Sequence, residues 1–503
     1  MSDAERRYAP PRAGAMVEAL RGLGYSTSTA LADIVDNSIA AGAANVDLTF
    51  HWAGADSHIA IADDGRGMDE GELDLAMRLG ARNPLDDRAA GDLGRFGLGL
   101  KTASFSQARR LTVASRKAGS LSCLRWDLDE LAREEGDGWY MLVGPAPGSE
   151  GLLSPLDEMG SGTLVLWEKL DRIVTAAFGE PHFLDLIDVV EAHLAMTFHR
   201  YLEGVRPKLR IAINGRAIRP WDPFLTGESA TWSSPVVVLD RARGISAQAH
   251  VLPHQDFLKP AVHRAAAGPE GWTSQQGFYV YRNERLLVAG GWLGLGSPRA
   301  WTRDEACRLA RIRIDLPNSA DADWKIDIRK STARPPATLR RHLTHLADDA
   351  RSRAREVFAH RGVPSRGIRA QPVAEAWRVE HRRSGVRYRI DEAHPAIAAI
   401  LDQAGDLSDD VRAMLRVIEE TVPVQRIWLD TAEARETPRV GFSADPPEEV
   451  GKVLLVLFRN LVGRKGYSVE RAIERLMHTE PFHEHPDLVA ALALETVIEP
   501  EVE

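Results

Sequence analysis

Asp33 and Asn37 lie four positions apart in the run DIVDNS, Asp33 to Ser38, and so share one face if the run is helical. A carboxylate beside a carboxamide can take a proton from an attacking water. The amide oxygen suits Mg2+, a hard cation that prefers oxygen. Leu31, Ile34, Val35 and Ser38 repeat at helical spacing and make the packed face. Taken alone, the run is equally an amphipathic helix with solvated polar side chains. DDGRGM, Asp63 to Met68, follows an apolar stretch. Gly65 and Gly67 let the backbone turn sharply beside a flat ligand, and a buried Asp63 can accept a hydrogen bond from an exocyclic amine. GRFGLGLK, Gly94 to Lys101, sets three glycines ahead of a helix with a lysine in its first turn. Backbone N–H groups at such a start suit phosphate oxygens. The segment is neither GxxxxGK[ST] nor GxGxxG. By themselves the last two runs are also plain turns and connectors.

The elements that must position these residues are legible from periodicity. Met16, Leu20 and Leu23 predict a short helix, and Ser26 or Ser28 can cap a second from Thr29 to Ala41. Val46 to Phe50, His58 to Ala62, Leu111 to Ser115, Ser122 to Trp126 and Gly162 to Trp167 read as strands. A helical stretch covers about Pro181 to Leu202, and Lys208 to Ile218 is a hairpin turning at Asn214-Gly215. Phe278 to Val288 is a second hairpin, Arg311 to Leu316 a strand, and Ala337 to His360 an arginine-rich helix. RGVPSRGIRAQP, from Arg361, has loop composition.

Composition narrows the class. Hydrophobic residues are 44% and charged residues 27% of 503, as in a folded globular chain of two or three domains. The net charge of -9 excludes a globally basic coat for nucleic acid, though not a local patch. Cys123 and Cys307 form no metal-ligand pattern. No apolar run approaches the ~18 residues of a membrane span, and the polar N-terminus lacks a signal-peptide core. The expectation is a cytoplasmic protein without membrane association.

The order of the motifs resembles the Bergerat ATP-binding fold of the GHKL superfamily: helix with acid and Asn, strand with DxGxG, intervening loop, GxxGxGxK. That superfamily includes gyrase, the large heat-shock chaperone ATPases, histidine kinases, MutL and MORC proteins. Gly162-Thr163, opening TLVLW, is similar to the family's late Gly-Thr motif. The resemblance implies an α+β chain: a Bergerat-type sandwich, then a β-α transducer domain and a mainly helical C-terminal region. It implies ATP and Mg2+ as ligands. Asp63, with Gly65, Gly67, Met68 and Thr163, would hold adenine, and Asn37 would ligate Mg2+. Gly94, Arg95, Phe96, Gly97, Leu98 and Gly99, with Lys101, would wrap the phosphates. Residues from about Glu72 to Leu93 would form a lid. Asp33 stands where most hydrolysing members carry Glu, one methylene longer, so hydrolysis is expected to be slow.

Too few residues precede Asp33 for a histidine kinase's phosphoacceptor hairpin. Resemblance to prokaryotic MORC-like proteins is strongest over about 15–360. It implies a flexible arm (1–15), an ATP domain (16–205), a transducer (206–360), a basic linker (361–389) and a C-terminal partner or dimerisation module (390–503). INGRAIRPWDPF resembles the entry into the transducer. Lys330, beyond an alternating WKIDI strand, is preferred over Lys325 as the residue reaching the γ-phosphate. The implied machine is an ATP-gated homodimeric clamp, with Asp33 and Lys330 catalytic. From Ser331 to Arg389 there are 14 Arg and five acidic residues. Arg351, Arg353 and Arg355 are therefore candidates for duplex DNA phosphates, in genome or anti-phage defence. A chaperone-like clamp on protein clients and a non-hydrolysing ATP sensor are the alternatives.

Overall fold

The computed structural model describes residues 11–81, 99–133, 138–321, 323–326, 332–359, 374–382, 385–425, 427, 448–479, 482 and 486–498. Two compact units divide the chain, 1–364 and 365–503. Among the described residues no helix is long and apolar enough to cross a membrane.

In the first unit, α1 (Ala13–Arg21) and α2 (Thr27–Ala40) precede β1 (Asn45–His51), β2 (His58–Asp63) and α3 (Glu70–Met77). Then come α4 (Gly99–Phe105), β3 (Arg110–Lys117), β4 (Ser120–Asp127), α5 (Leu128–Arg133), β5 (Leu142–Val143) and β6 (Gly162–Glu168). α6 (Glu180–Thr197), α7 (His199–Leu202), β7 (Arg210–Ile213) and β8 (Arg216–Ala217) complete the layer. Ser26 starts α2 because its hydroxyl accepts from the N–H of Thr29, whose hydroxyl in turn accepts from Ser26 N–H. Such a box contributes about 1 kcal/mol. Eight strands run in the order β5-β4-β3-β6-β2-β1-β7-β8. One face carries the helical layer, where Leu31, Ile34 and Val35 of α2 pack with Val46, Ile59, Val113 and Trp167. The other face is smaller, with Leu164 and Leu166 under Leu153 and Leu156.

The hairpin at Lys208 to Ile218 corrects one expected boundary. β7 pairs in parallel with β1, so this hairpin belongs to the first sheet and not to a domain starting at 206. Its burial explains the placement: Ile211 and Ile213 join the core of the first layer, and Ala212 between them is also buried.

The second sheet follows: β9 (Trp232–Ser233), β10 (Val237–Asp240), β11 (Ile245–Val251), α8 (Pro260–Ala266), β12 (Gly277–Arg282), β13 (Arg285–Ala289), β14 (Ala310–Leu316) and α9 (Ala337–Ala359). Its order is β10-β11-β14-β12-β13, with β9 beside β11. Leu339, Leu343, Ala347, Ala350 and Ala354 of α9 share one face and lie on Ala247, Ala249, Ile312 and Ile314. The opposite sheet face meets the first layer. His199 Nε2 and the Tyr281 hydroxyl share a hydrogen bond of 2.7 Å, Tyr201 Oη donates to Asn283 O at 2.6 Å, and Arg200 pairs with Asp315 at 2.5 Å.

The expected WKIDI strand is absent from its described part, 324–326. Trp324 N–H bonds back to Ala320 O and Ile326 N–H to Asp321 O, while Lys325 has φ +48. The alternation comes from Trp324 and Ile326 both being buried in a turn. Lys325 is exposed, and Lys330 lies outside the described residues.

In the second unit the expected linker ends early. Trp377–Arg382 (β15) and Gly385–Ile390 (β16) form an antiparallel hairpin. Among the described residues, helices α10 (Pro395–Ala404), α11 (Ser408–Thr421), α12 (Glu448–Arg459), α13 (Val469–Met477) and α14 (Pro486–Ile498) follow. Their core includes Ala399, Leu457, Phe458, Leu476 and Val489. His483, Glu484 and His485 lie outside the described residues.

Candidate functional site

One end of the site is built where β2 ends beside the start of β6. Asp63 sits opposite Thr163 in the strand register. Its carboxylate accepts from Ser38 Oγ at 2.8 Å and from Gly65 N–H at 3.0 Å. Burial is the largest influence on this carboxyl and raises its pKa, with the two donors pulling the other way. Thr163 Oγ1 lies 2.9 Å from Ser115 Oγ, which donates to Gly162 O at 3.0 Å and accepts from Met68 N–H at 2.8 Å. The turn requires glycine at 67: φ is +65, and a Cβ there would stand 1.9 Å from Arg116 O. A Cβ at Gly162 would stand 2.2 Å from Asp63 O. Met68 is half-buried against the core. The neighbouring Asp64 faces away and closes the turn, accepting from Ala44 N–H, Asn45 N–H and Asn45 Nδ2.

The other end is built by α2 and the start of α4. Asp33 is 5% exposed and accepts from Tyr25 Oη at 3.0 Å. Gly99 borders it closely, since a Cβ there would meet Asp33 Oδ2 at 3.6 Å. Asn37 is exposed. The expected shared face is thus split in burial: α2 is enclosed around Asp33 and Asp36 and opens at Asn37. The packed face holds as expected, with Leu31, Ile34, Val35 and Ser38 all buried. Lys101 is buried, and its ammonium donates to Ala76 O at 2.8 Å, tying α4 to the end of α3. Gly94, Arg95, Phe96, Gly97 and Leu98 lie outside the described residues. The expected lid begins too early: Glu72 to Met77 is helix α3, held by buried Leu73 and Met77 and by Lys117 on Glu72 at 2.6 Å.

Two site residues escaped the sequence reading. Ser115 is the hydroxyl joining Thr163 to the glycine turn; its signal is a polar residue at a fully buried strand position. Arg285 is 4% exposed and brings a guanidinium from the second sheet to α2. Its Nε lies 3.2 Å from Asp36, and Nη2 lies 3.9 Å from Asp33. Its signal is an arginine opening an otherwise apolar strand, RLLVA.

For a hard cation, Asn37 is the exposed oxygen donor beside these carboxylates. Among the described residues, His199, Glu203 and Asp222 also cluster at ligand range. Their atoms already serve one another and the fold: His199 bonds Glu203 and Tyr281, and Asp222 accepts from Phe224 N–H and Thr226. Cys123 and Cys307 are free, and burial pushes both thiols up to about 11, so neither is a thiolate nucleophile.

The arginine-rich tract is corrected in detail. Arg351 is 5% exposed, its Cζ lying 4.6 Å from the Trp292 ring and 4.8 Å from the Trp301 ring, with Nη2 3.0 Å from Asp304. Arg353 lies over Trp232 at 4.3 Å, and Arg355 is 3.6 Å from Asp304. In the second unit Arg389 pairs with Glu419 at 2.5 Å, and Arg387 with Glu420. These side chains work within the fold, so Arg351 is withdrawn as a phosphate contact.

Residues 25–163 match the family model described as histidine kinase-, DNA gyrase B-, and HSP90-like ATPase. The DNA mismatch repair protein MutL of Rhodospirillum rubrum is 35% identical over 117 residues, covering 23% of this chain and 16% of that protein. MutL of Rhodopseudomonas palustris is 36% identical over 200 residues, covering 39% and 29%. The ATPase morc-1 of Caenorhabditis elegans is 24% identical over 232 residues, covering 38% and 27%. The chain therefore spans less than a third of the length of each of these relatives.

Proposed function

We propose, from the premise that this chain belongs with the GHKL-superfamily ATPases through its domain at residues 25–163, that it binds ATP with Mg2+ and hydrolyses it slowly to drive a homodimeric clamp. One observation carries the reading: α2 touches both ends of the site. Its Ser38 donates to Asp63 at 2.8 Å, and its Asp33 borders Gly99. A base bound at one end and phosphates at the other would be referenced to the same rigid helix.

In this reading the Asp63 carboxylate accepts from the exocyclic amine of adenine. Thr163 and Ser115 complete the polar edge, and Gly65, Gly67 and Met68 admit the flat ring. Gly99 and Lys101, with residues 94–98, surround the phosphates. The exposed Asn37 oxygen fits Mg2+, which keeps most of its waters and needs few protein ligands. Bound there, the ion would neutralise phosphate charge. Asp33 orients the attacking water and takes its proton. Lys330 is the proposed γ-phosphate sensor. ATP binding closes two protomers and hydrolysis reopens them, a ligand-biased two-state switch. The likeness to proteins named for DNA mismatch repair and to morc-1 supports DNA as the client, in genome or anti-phage defence. The duplex contacts then fall on residues other than Arg351. The second unit serves as a partner or dimerisation module. Two free cysteine thiols, Cys307 buried and Cys123 partly so, support a cytoplasmic setting.

A second reading has its own observation. Tyr25 Oη occupies one oxygen of an aspartate that is already a methylene short, which suits a non-hydrolysing sensor. The test is ATP turnover by purified protein with Mg2+, alone, with duplex DNA and with an unfolded protein, beside Asp33→Ala, Asn37→Ala and Lys330→Ala. DNA-stimulated turnover lost in all three variants supports the clamp ATPase. Turnover stimulated by unfolded protein but not by DNA moves the reading to a chaperone. Tight ATP binding without turnover under any of these conditions replaces the ATPase with the sensor.

A further inference from the structure

Asp33 and Asp36 sit one turn apart on α2 and are 5% and 2% exposed. Two buried carboxylates at this spacing repel each other and lose hydration, so each needs positive charge or donors nearby. Arg285 supplies the charge from a different layer of the unit. Its Nε lies 3.2 Å from both oxygens of Asp36, and its Nη2 lies 3.9 Å from Asp33 Oδ1. Nη1 donates to Leu286 O at 2.9 Å, which fixes the plane of the guanidinium. The 3.2 Å contact is a hydrogen-bonded anchor, whereas 3.9 Å is ion-pair range without one. The guanidinium is therefore anchored on Asp36 and leans toward Asp33.

The other end of Arg285 is equally well held. It follows a tight turn in which Asn283 and Glu284 both have positive φ, +47 and +70. Tyr201 Oη donates to Asn283 O at 2.6 Å, and Lys208 pairs with Glu284 at 2.5 Å. Arg285 cannot shift by itself; the β12–β13 hairpin must move with it. Asp36, in turn, directly precedes Asn37 in the chain.

We propose that Arg285 is a positioning residue for the reaction at Asp33 and the link through which the second sheet senses nucleotide at α2. The proposal rests on the reading of Asp33 and Asn37 given above. Through Asp36 the guanidinium holds the middle of α2 in register with the hairpin, and through Asp33 it sets where that carboxylate points. A small displacement of α2 on nucleotide binding then moves the hairpin, and a displaced hairpin misplaces Asp33.

The test uses the full chain and Arg285→Met, which keeps the bulk of the side chain and removes the charge, beside Arg285→Lys and Asp36→Asn. Three quantities are measured: kcat and KM for ATP, affinity for a fluorescent ATP analogue, and amide hydrogen exchange over 277–289 with and without a non-hydrolysable ATP analogue and Mg2+. The expected result for Arg285→Met is a loss of about 100-fold in kcat, the scale of a small misplacement. Analogue affinity stays within about twofold, and the nucleotide-dependent change in hairpin exchange disappears. Arg285→Lys recovers part of both. A purely structural arginine would lower the melting temperature without splitting kcat from KM, and that result overturns the proposal. So does a hairpin response that persists in Arg285→Met. Should Arg285→Met not fold, Asp36→Asn removes the anchor from the other side and must give the same split. If the wild type binds the analogue without turnover, the catalytic reading of Asp33 fails by itself, and hairpin exchange still decides the link. If the wild type binds no analogue, both fall.

Discussion

Helices α2 and α9 both carry charge that the surrounding sequence does not balance, and they use it in opposite ways. On α2 the carboxylates of Asp33 and Asp36 are buried, with Gly99 bordering Asp33, and Asn37 next to them is exposed. On α9 two arginines are engaged by aromatic faces of the fold. Arg351 is enclosed by two tryptophan rings and Asp304, and Arg353 covers Trp232. A charge becomes available for chemistry when its partners leave an open side. It becomes structural when aromatic faces and a counter-ion enclose it. Composition records the charge and is silent about the enclosure.

That contrast can be broken most directly at Asp33. Asp33→Asn is expected to lower ATP turnover by roughly 10²–10⁴-fold, the usual contribution of a positioned acid or base. Its melting temperature should hold or rise, because a buried charge is removed. A turnover that survives would put Asp33 with the structural charges. Arg351→Ala should do the reverse, costing about 2–3 kcal/mol in urea unfolding because Asp304 and two indole faces lose their cation. Turnover per folded molecule and the salt dependence of duplex binding should not change. A flatter salt slope with intact stability would return Arg351 to the DNA.

Asp63 sharpens the comparison through pH. Burial holds its pKa above the ordinary aspartate value. If Asp63 accepts from the adenine amine as proposed, the ionised carboxylate is the stronger acceptor. Affinity for the ATP analogue should therefore fall as pH drops through the raised value, above the range where an exposed aspartate titrates. The stability effect has the opposite sense: a raised carboxyl favours the folded state below the ordinary value, and that gain is lost as pH rises through the folded value. Asp63→Asn should accordingly weaken the analogue about tenfold, or ~1.4 kcal/mol, remove the acid limb, and leave neutral-pH stability intact or higher. An acid limb that persists in the variant would assign it elsewhere. The smallest effect belongs to Arg353→Ala, about 0.5 kcal/mol from an exposed cation–π contact, read by the same urea titration. A loss as large as that of Arg351→Ala would show that exposure does not separate the two arginines.

The legible parts of this molecule are those where the physical cause is local. The cap at Ser26, one of the two serines read as candidates, the i, i+4 spacing of Asp33 and Asn37, and the glycine turn at 65–67 involve residues within a few positions of each other. The arrangement of Asp63 beside Thr163 was implied by the family resemblance and not by local pattern, and the strand register pairs the two. Ser115 and Arg285 were not legible because their partners are distant, Thr163 for one and a helix 249 positions away for the other. WKIDI misled for a related reason. Trp324 and Ile326 are both buried, yet their amides bond back into a turn and not across to a strand.

The sequence by itself determined the helix and strand segments of the first layer, the order of its motifs and the residue types at the candidate site, because these depend on periodicity, caps and backbone sterics. Only the tertiary structure decided which charges are enclosed, that the 208–218 hairpin joins the first sheet, and that an arginine from the second sheet stands against α2. Those outcomes depend on which surfaces meet, and burial and ion pairing are properties of the meeting surfaces, not of either segment alone.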